Sequence, residues 1–293
     1  MRAFDPYWVV EEAWMRNSIR RHLFCGLFGL VLLGMRPAAG CGLNETIETH
    51  DDTRMTMSVA GTVTGAKAVL VLLVGGAGYL ALDGSGCPQR LKGNALITKR
   101  PLFHEAGYMT VLVDAPTDRH GKEGLGGFRI EVEHAADLGR VIAGMRARTR
   151  LPVWLIGTSR GAISAVNAAS RLSGAAAPDG LILTSPVTSG REGAFKAWVA
   201  HSVFSLDLED IKMPVLVIVH AEDKCIRTPP DRGKVILEKT EGVREQFVTV
   251  TGGPGWEGGK GLKACRGKSP HGFVTQDAEV AAGMIRFIET GAY

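Results

Sequence analysis

The chain has 293 residues, 45% of them hydrophobic and 22% charged, a balance that fills a globular core and excludes a disordered or fibrous protein. That length suits one α/β domain of about 200–250 residues preceded by a targeting segment. The net charge is only +4, with basic residues never clustered beyond pairs, which excludes the basic stripe that nucleic-acid binding needs.

At the N-terminus, Arg16, Arg20 and Arg21 stand ahead of an apolar run over residues 23–33, and Ala38, Ala39 and Gly40 precede Cys41. This is the order of charge, apolar run and small residues found in secretory signals. Residues 1–41 are therefore expected to be a leader that exports the protein to a bacterial periplasm, cell envelope or extracellular space. The run is far shorter than the roughly 20 residues a spanning helix requires. Starting at Met15, and so leaving out Asp5, Glu11 and Glu12, puts the arginines directly ahead of the apolar run. Cys41 has two readings. Ala38-Ala39-Gly40-Cys41 resembles a lipobox, whose cysteine carries lipid and would give the only membrane attachment; ordinary cleavage would leave Cys41 free or disulfide-bonded. Polar residues 42–54 read as a tether, and residues 55–293 as the folded domain.

From residue 55 onward, apolar β-rich runs alternate with helix-patterned stretches, the layout of a mostly parallel sheet covered on both faces. In chain order, a strand over 55–63 reads as an antiparallel edge, followed by a buried strand over 68–74 and a helix over 94–106 that Pro101 should break or kink. A strand over 109–114, a helix over 130–149, a strand over 153–157 and a helix over 160–172 come next. Strands over 181–184 and 215–220, a helix over 232–238, a strand over 246–251 and a helix over 275–290 complete the series. Continuous Val/Leu/Ile runs such as 69–74 and 215–219 need both sheet faces buried. Residues 186–213 are too short for a large lid, so an open, lightly capped site is expected.

The chemistry concentrates at Gly157-Thr158-Ser159-Arg160-Gly161. A buried strand runs into this G-x-S-x-G and straight into an Ala-rich helix, the setting in which a serine hydroxyl is raised above a sheet. A hydroxyl is a poor nucleophile at neutral pH, so a base must take its proton and a carboxylate must orient that base. Asp223 follows the strand over 215–220, with Glu222 beside it as the fallback. His271, alone of the eight histidines, falls between the last strand and the last helix. The order Ser, Asp, His is complete. Val74-Gly75-Gly76-Ala77-Gly78-Tyr79 ends the second strand, and small residues there let main-chain N–H groups approach a substrate oxygen. One oxyanion donor is assigned to Gly76 or Ala77 and the other to Arg160.

On these motifs residues 55–290 resemble the small serine esterases of the α/β-hydrolase superfamily, although GGAG stands where one lipase and esterase branch carries HGGG. The resemblance implies a mostly parallel eight-stranded sheet with helices on both faces, and ester or amide hydrolysis through an acyl-enzyme. A carboxylic ester of a small molecule is the leading substrate. A peptidase or amidase of the same fold and a non-catalytic cell-envelope binding protein are the alternatives. No cofactor is called for, no metal motif such as CxxC or HExxH occurs, and a monomer is expected.

Cys225 and Cys265 each lie a few residues from a proposed catalytic residue, which makes them the pair to be bridged in an oxidising compartment; Cys25 lies in the leader, and Cys87 is left with Cys41 or no partner. Tyr79 and Trp256, the latter in a Gly-rich loop, are candidate substrate contacts. Asp114, Asp118, Arg119 and His120 either line the mouth of the site or serve as turn and solvated surface, whereas His134 and Asp137 read as surface or satisfied core groups.

Overall fold

In a computed structural model, which describes residues 40–293, the apolar runs become eight strands. They are β1 (Leu43–Glu48), β2 (Arg54–Ala60), β3 (Val69–Leu73), β4 (Met109–Val113), β5 (Val153–Thr158), β6 (Gly180–Thr184), β7 (Val215–His220) and β8 (Glu245–Val250). Their order across the sheet is β1-β2-β4-β3-β5-β6-β7-β8, antiparallel at β1–β2 and β2–β4 and parallel elsewhere. Every residue of β3, β4, β5, β6 and β7 is buried, as continuous aliphatic runs require when helices cover both faces.

The longer helices are α1 (Ala95–Glu105), α2 (Val132–Thr149), α3 (Gly161–Arg171) and α6 (Asp277–Thr290); two single-turn helices, α4 (Ala197–Ala200) and α5 (Lys234–Leu237), lie between α3 and α6. One core joins Val71, Leu155 and Val217 of the sheet to Leu138 of α2 and Val166 of α3. On the opposite face Leu70, Ile156 and Ile218 pack with Phe103 of α1 and Phe287 of α6. The alternation of Leu70, Val71 and Leu72 between the two cores is the two-residue period of a strand whose faces are both covered.

Three sequence expectations are corrected. Residues 42–54 are not a tether, because β1 pairs with β2 from Leu43↔Val59 to Glu48↔Arg54; main-chain bonds, together with Thr46 and Thr56 hydroxyls 3.2 Å apart, make a strand from a polar stretch. The strand expected at the edge is accordingly second from it. Pro101 does not break α1, because the buried side chains of Phe103 and Leu96 fasten the helix to the sheet on either side of it.

The N-terminal basic and apolar pattern, Ala38, Ala39 and Cys25 lie outside the described residues. Cys41 does not: it is disulfide-bonded to Cys87, with Cα atoms 4.8 Å apart, and a sulfur so engaged has no valence left for a lipid thioether. Among the described residues no helix is long and apolar enough to cross a membrane. Between β6 and β7 the chain forms only α4 and two short 3-10 turns, so this segment builds no lid domain.

Candidate active site

Ser159 sits at the junction of β5 and α3 with φ 53°, in the left-handed region that non-glycine residues occupy at a cost. Two close approaches hold it there. A Cβ on Gly157 would lie 2.7 Å from the carbonyl oxygen of Gly161, and one on Gly161 would lie 1.9 Å from that of Leu73; only glycine lets strand and helix cross this closely. The Ser159 amide donates to the carbonyl of Thr184 at the end of β6 (2.9 Å). The result is a serine lifted over the sheet at the positive end of the α3 dipole. It faces a cavity of about 480 Å³ that His271 also lines. Its hydroxyl has no hydrogen-bond partner among the described residues, His271 included.

Asp223 and His271 meet directly. His271 Nδ1 is 2.9 Å from Asp223 Oδ2, and both side chains are buried. The carboxylate is held in turn: Cys225 N donates to Oδ1 (2.9 Å) and the Thr228 hydroxyl donates to Oδ2 (2.7 Å) while lying 3.1 Å from His271 Nδ1. The Ser185 hydroxyl donates to the His271 carbonyl (2.8 Å), fixing the turn Pro270–Gly272 that carries the ring. With Nδ1–H spent on Asp223, Nε2 is the nitrogen left to accept a proton. Glu222, the fallback acid, is exposed and, among the described residues, makes no hydrogen bond or ion pair with His271. The disulfide Cys225–Cys265 (Cα–Cα 4.7 Å) ties the Asp223 loop to the His271 loop. Asp223, Cys225 and His271 place three donor atoms within 4.8 Å of one another, but the Cys225 sulfur belongs to the disulfide, so no three-ligand metal set exists there.

Of the proposed oxyanion donors, Gly76 lines the cavity and Ala77 does not; the Ala77 carbonyl accepts from Leu125 N (2.8 Å), which turns that residue toward the Leu125 loop. Gly75, which sequence reasoning passed over, is packed so tightly that a Cβ there would lie 2.8 Å from the Ser159 Cβ. Arg160 does not line the cavity either: its guanidinium stacks 5.0 Å above the Trp198 ring, and its amide, next to Ser159, has no acceptor among the described residues.

Arg129 was also missed, because an arginine just ahead of an amphipathic helix reads as surface. It is fully buried and, among the described residues, has no carboxylate partner, donating to Ser164 Oγ (2.6 Å) and to the carbonyls of Val74 (3.1 Å) and Gly76 (3.4 Å). Burial, reinforced by Arg160, pulls its pKa down to about 9. Arg129 thus clamps the loop of Gly75 and Gly76 from beneath.

Trp256 lines the cavity, its indole N–H donating to Gly259 O (2.7 Å). Tyr79 does not: it stacks on His120 at 4.4 Å and packs with Leu125 and Phe128, an anchor for the loop rather than a substrate contact. Asp114 is buried and accepts from the amides of Leu80, Leu82 and Ala115, so it organises a turn. Asp118, Arg119 and His120 stay outside the cavity. His134 and Asp137 are core groups, bonded to Ser164 Oγ (2.8 Å) and His50 Nδ1 (2.6 Å) respectively.

This sheet order, the strained serine between β5 and α3, and the Asp and His on the following loops define the α/β-hydrolase class of fold. No family model matches the chain, and no curated protein matches its sequence. Solved structures do match in fold. Est1E from Butyrivibrio proteoclasticus superposes with a TM-score of 0.57 at 13% identity, over 85% of this chain and 100% of that one. VinJ gives 0.55 at 14%, over 84% and 98%. XC6422 from Xanthomonas campestris, described as an a/b serine hydrolase without lid, gives 0.52 at 16%, over 87% and 96%. The protein has the α/β-hydrolase fold.

Proposed function

We propose that the protein is a serine hydrolase that cleaves carboxylic esters through an acyl-enzyme. The observation that carries this reading is the buried 2.9 Å contact between His271 Nδ1 and Asp223 Oδ2, on the rim of the cavity that holds the strained Ser159. Asp223 holds the imidazole in the Nδ1–H tautomer, so Nε2 takes the Ser159 proton as Oγ attacks the ester carbonyl. That step needs a serine rotamer aimed at Nε2, a contact that tightens when substrate is bound. The N–H groups of Gly76 and Arg160 receive the developing oxyanion, with Arg129 steadying the Gly76 side. The imidazolium then protonates the departing alcohol, and water hydrolyses the acyl-enzyme by the same proton path.

The ester rather than amide reading is supported by structural neighbours, two of which, Est1E and the esterase EaEST from Exiguobacterium antarcticum, are esterases by name. Action outside the reducing cytoplasm is part of the proposal, supported by two disulfides of the kind that persist in oxidising compartments.

The test is labelling of purified wild type and Ser159→Ala with a fluorophosphonate probe, followed by short p-nitrophenyl esters and an aminoacyl amide on the same preparations. Labelling of wild type alone, with ester turnover exceeding amide turnover, is the expected result. Equal labelling of the two, or faster amide cleavage, would overturn it.

A further inference from the structure

The cavity that holds Ser159 and His271 is also lined by Lys92, Arg266 and Lys268, and among the described residues by no acid. All three cations are exposed, and none takes part in an ion pair among the described residues. The one hydrogen bond of Lys92 Nζ among the described residues is to the neutral Gln89 (3.2 Å). Among the described residues, three cations and no carboxylate therefore line this one opening. The acids of the adjoining loops, Glu222 and Glu257, stay outside the lining.

The cations stand on two loops that pack against each other. Lys92 lies on the loop leading into α1; Arg266 and Lys268 lie on the loop between Cys265 and His271. These loops press together so closely that a Cβ on Gly267 would fall 1.8 Å from the carbonyl oxygen of Gly93, while the Cys225–Cys265 bridge anchors the second of them. Asn94 and Ala95, at the N-terminal end of α1, line the same wall and add the positive end of an 11-residue helix.

We infer that the substrate is an ester bearing a second, anionic group, which Lys92, Arg266 and Lys268 receive while the ester carbonyl sits at Ser159. A cleft lined by one sign of charge concentrates ligands of the opposite sign and orients them. The three cations stand on two loops that meet at Gly93 and Gly267, and one of those loops carries His271, so the anion's position decides which end of the ester enters. This inference rests on the serine-hydrolase reading above and adds the substrate class to it.

The test compares two matched pairs of esters on the oxidised protein. The p-nitrophenyl monoester of glutaric acid against p-nitrophenyl valerate places the anion on the acyl side; 4-carboxyphenyl acetate against phenyl acetate places it on the alcohol side. In at least one pair the anionic ester should have a kcat/KM about tenfold higher, the equivalent of about 1.4 kcal/mol. That ratio should shrink as salt rises from about 10 mM to about 150 mM, where the screening length falls to about 8 Å. In the triple variant Lys92→Gln, Arg266→Gln, Lys268→Gln the ratio should collapse toward that of the uncatalysed reactions. Which pair responds tells whether the anion belongs to the acid or the alcohol half. A preference for the neutral member in both pairs, or a ratio that neither salt nor the triple variant changes, would overturn the inference and leave the hydrolase standing. No turnover of any ester together with no fluorophosphonate labelling would instead bring down both.

Discussion

The two disulfides offer a comparison in which stability and activity should part company. Cys225–Cys265 closes a loop with a sequence separation of 40, and Cys41–Cys87 one of 46. By loop-closure entropy each contributes about 4 kcal/mol, which for a domain of this size lowers Tm by about 10 °C when the bridge is lost. The paired variants Cys225→Ala/Cys265→Ala and Cys41→Ala/Cys87→Ala should therefore melt at similar temperatures, both well below wild type. Their kinetics should differ. Cys225 N donates to Asp223, and Cys265 stands six residues before His271 on a cavity-lining loop, so loss of that bridge loosens the loop carrying the acid relative to the loop carrying the base. A misplacement of about 1 Å in a catalytic group can cost about 10²-fold; the first variant should lose kcat on that scale, while the second, which joins the β1 end of the sheet to the loop after β3, should keep wild-type kcat below its melting range. Thermal melts and ester kinetics on both variants decide the matter. An unchanged Tm in either would refute the loop-entropy argument, and equal kcat in the two would refute the claim that Cys225–Cys265 sets the Asp–His geometry.

Four further outcomes are expected. Asp223→Asn should fold normally yet lower kcat by about 10⁴-fold, since an amide no longer holds the imidazole in its working tautomer, whereas Glu222→Gln should match wild type; the reverse ranking would move the acid to Glu222. Arg129→Met, by releasing the carbonyls of Val74 and Gly76, should lower kcat by up to about 10²-fold with little change in KM, and a rise in KM alone would show that the clamp does not serve the oxyanion loop. Gly161→Ala puts a methyl group against the Leu73 carbonyl and should destabilise by about 3 kcal/mol or more, visible as a depressed Tm; a wild-type melt would mean that strand and helix are not in such close contact. His134 is held down to about pKa 3, by burial first and then by Arg129 and His50, so below about pH 6.5 the unfolded chain takes up a proton that the folded one refuses. Stability should then fall with acidification, by up to about 1.4 kcal/mol per pH unit from this group. Melts of wild type and His134→Gln between pH 7 and pH 4.5 should converge or cross as the pH falls, and strictly parallel curves would contradict the assignment.

Much of this was legible in the chain itself. The aliphatic runs that became β3 to β7, the helical periodicity that became α2, α3 and α6, and the glycines spaced two residues either side of Ser159 are local patterns, fixed by the geometry of strand, helix and turn. The order Ser159, Asp223, His271 could be read for the same reason, as each residue follows a strand. What escaped depended on contacts between distant segments. The polar stretch that forms β1 becomes a strand only by pairing with β2. Thr228 and Ser185 take their places around His271 through bonds spanning 43 and 86 residues. Arg129 carries no local mark of burial, yet it lies beneath the loop of Gly75 and Gly76. Tyr79 sits in the expected loop but points at His120 instead of the cavity. Sequence settles which conformations a segment can adopt, since propensity and periodicity act over a few residues; side-chain direction and charge compensation are settled only when the sheet brings remote segments within a few ångströms of each other.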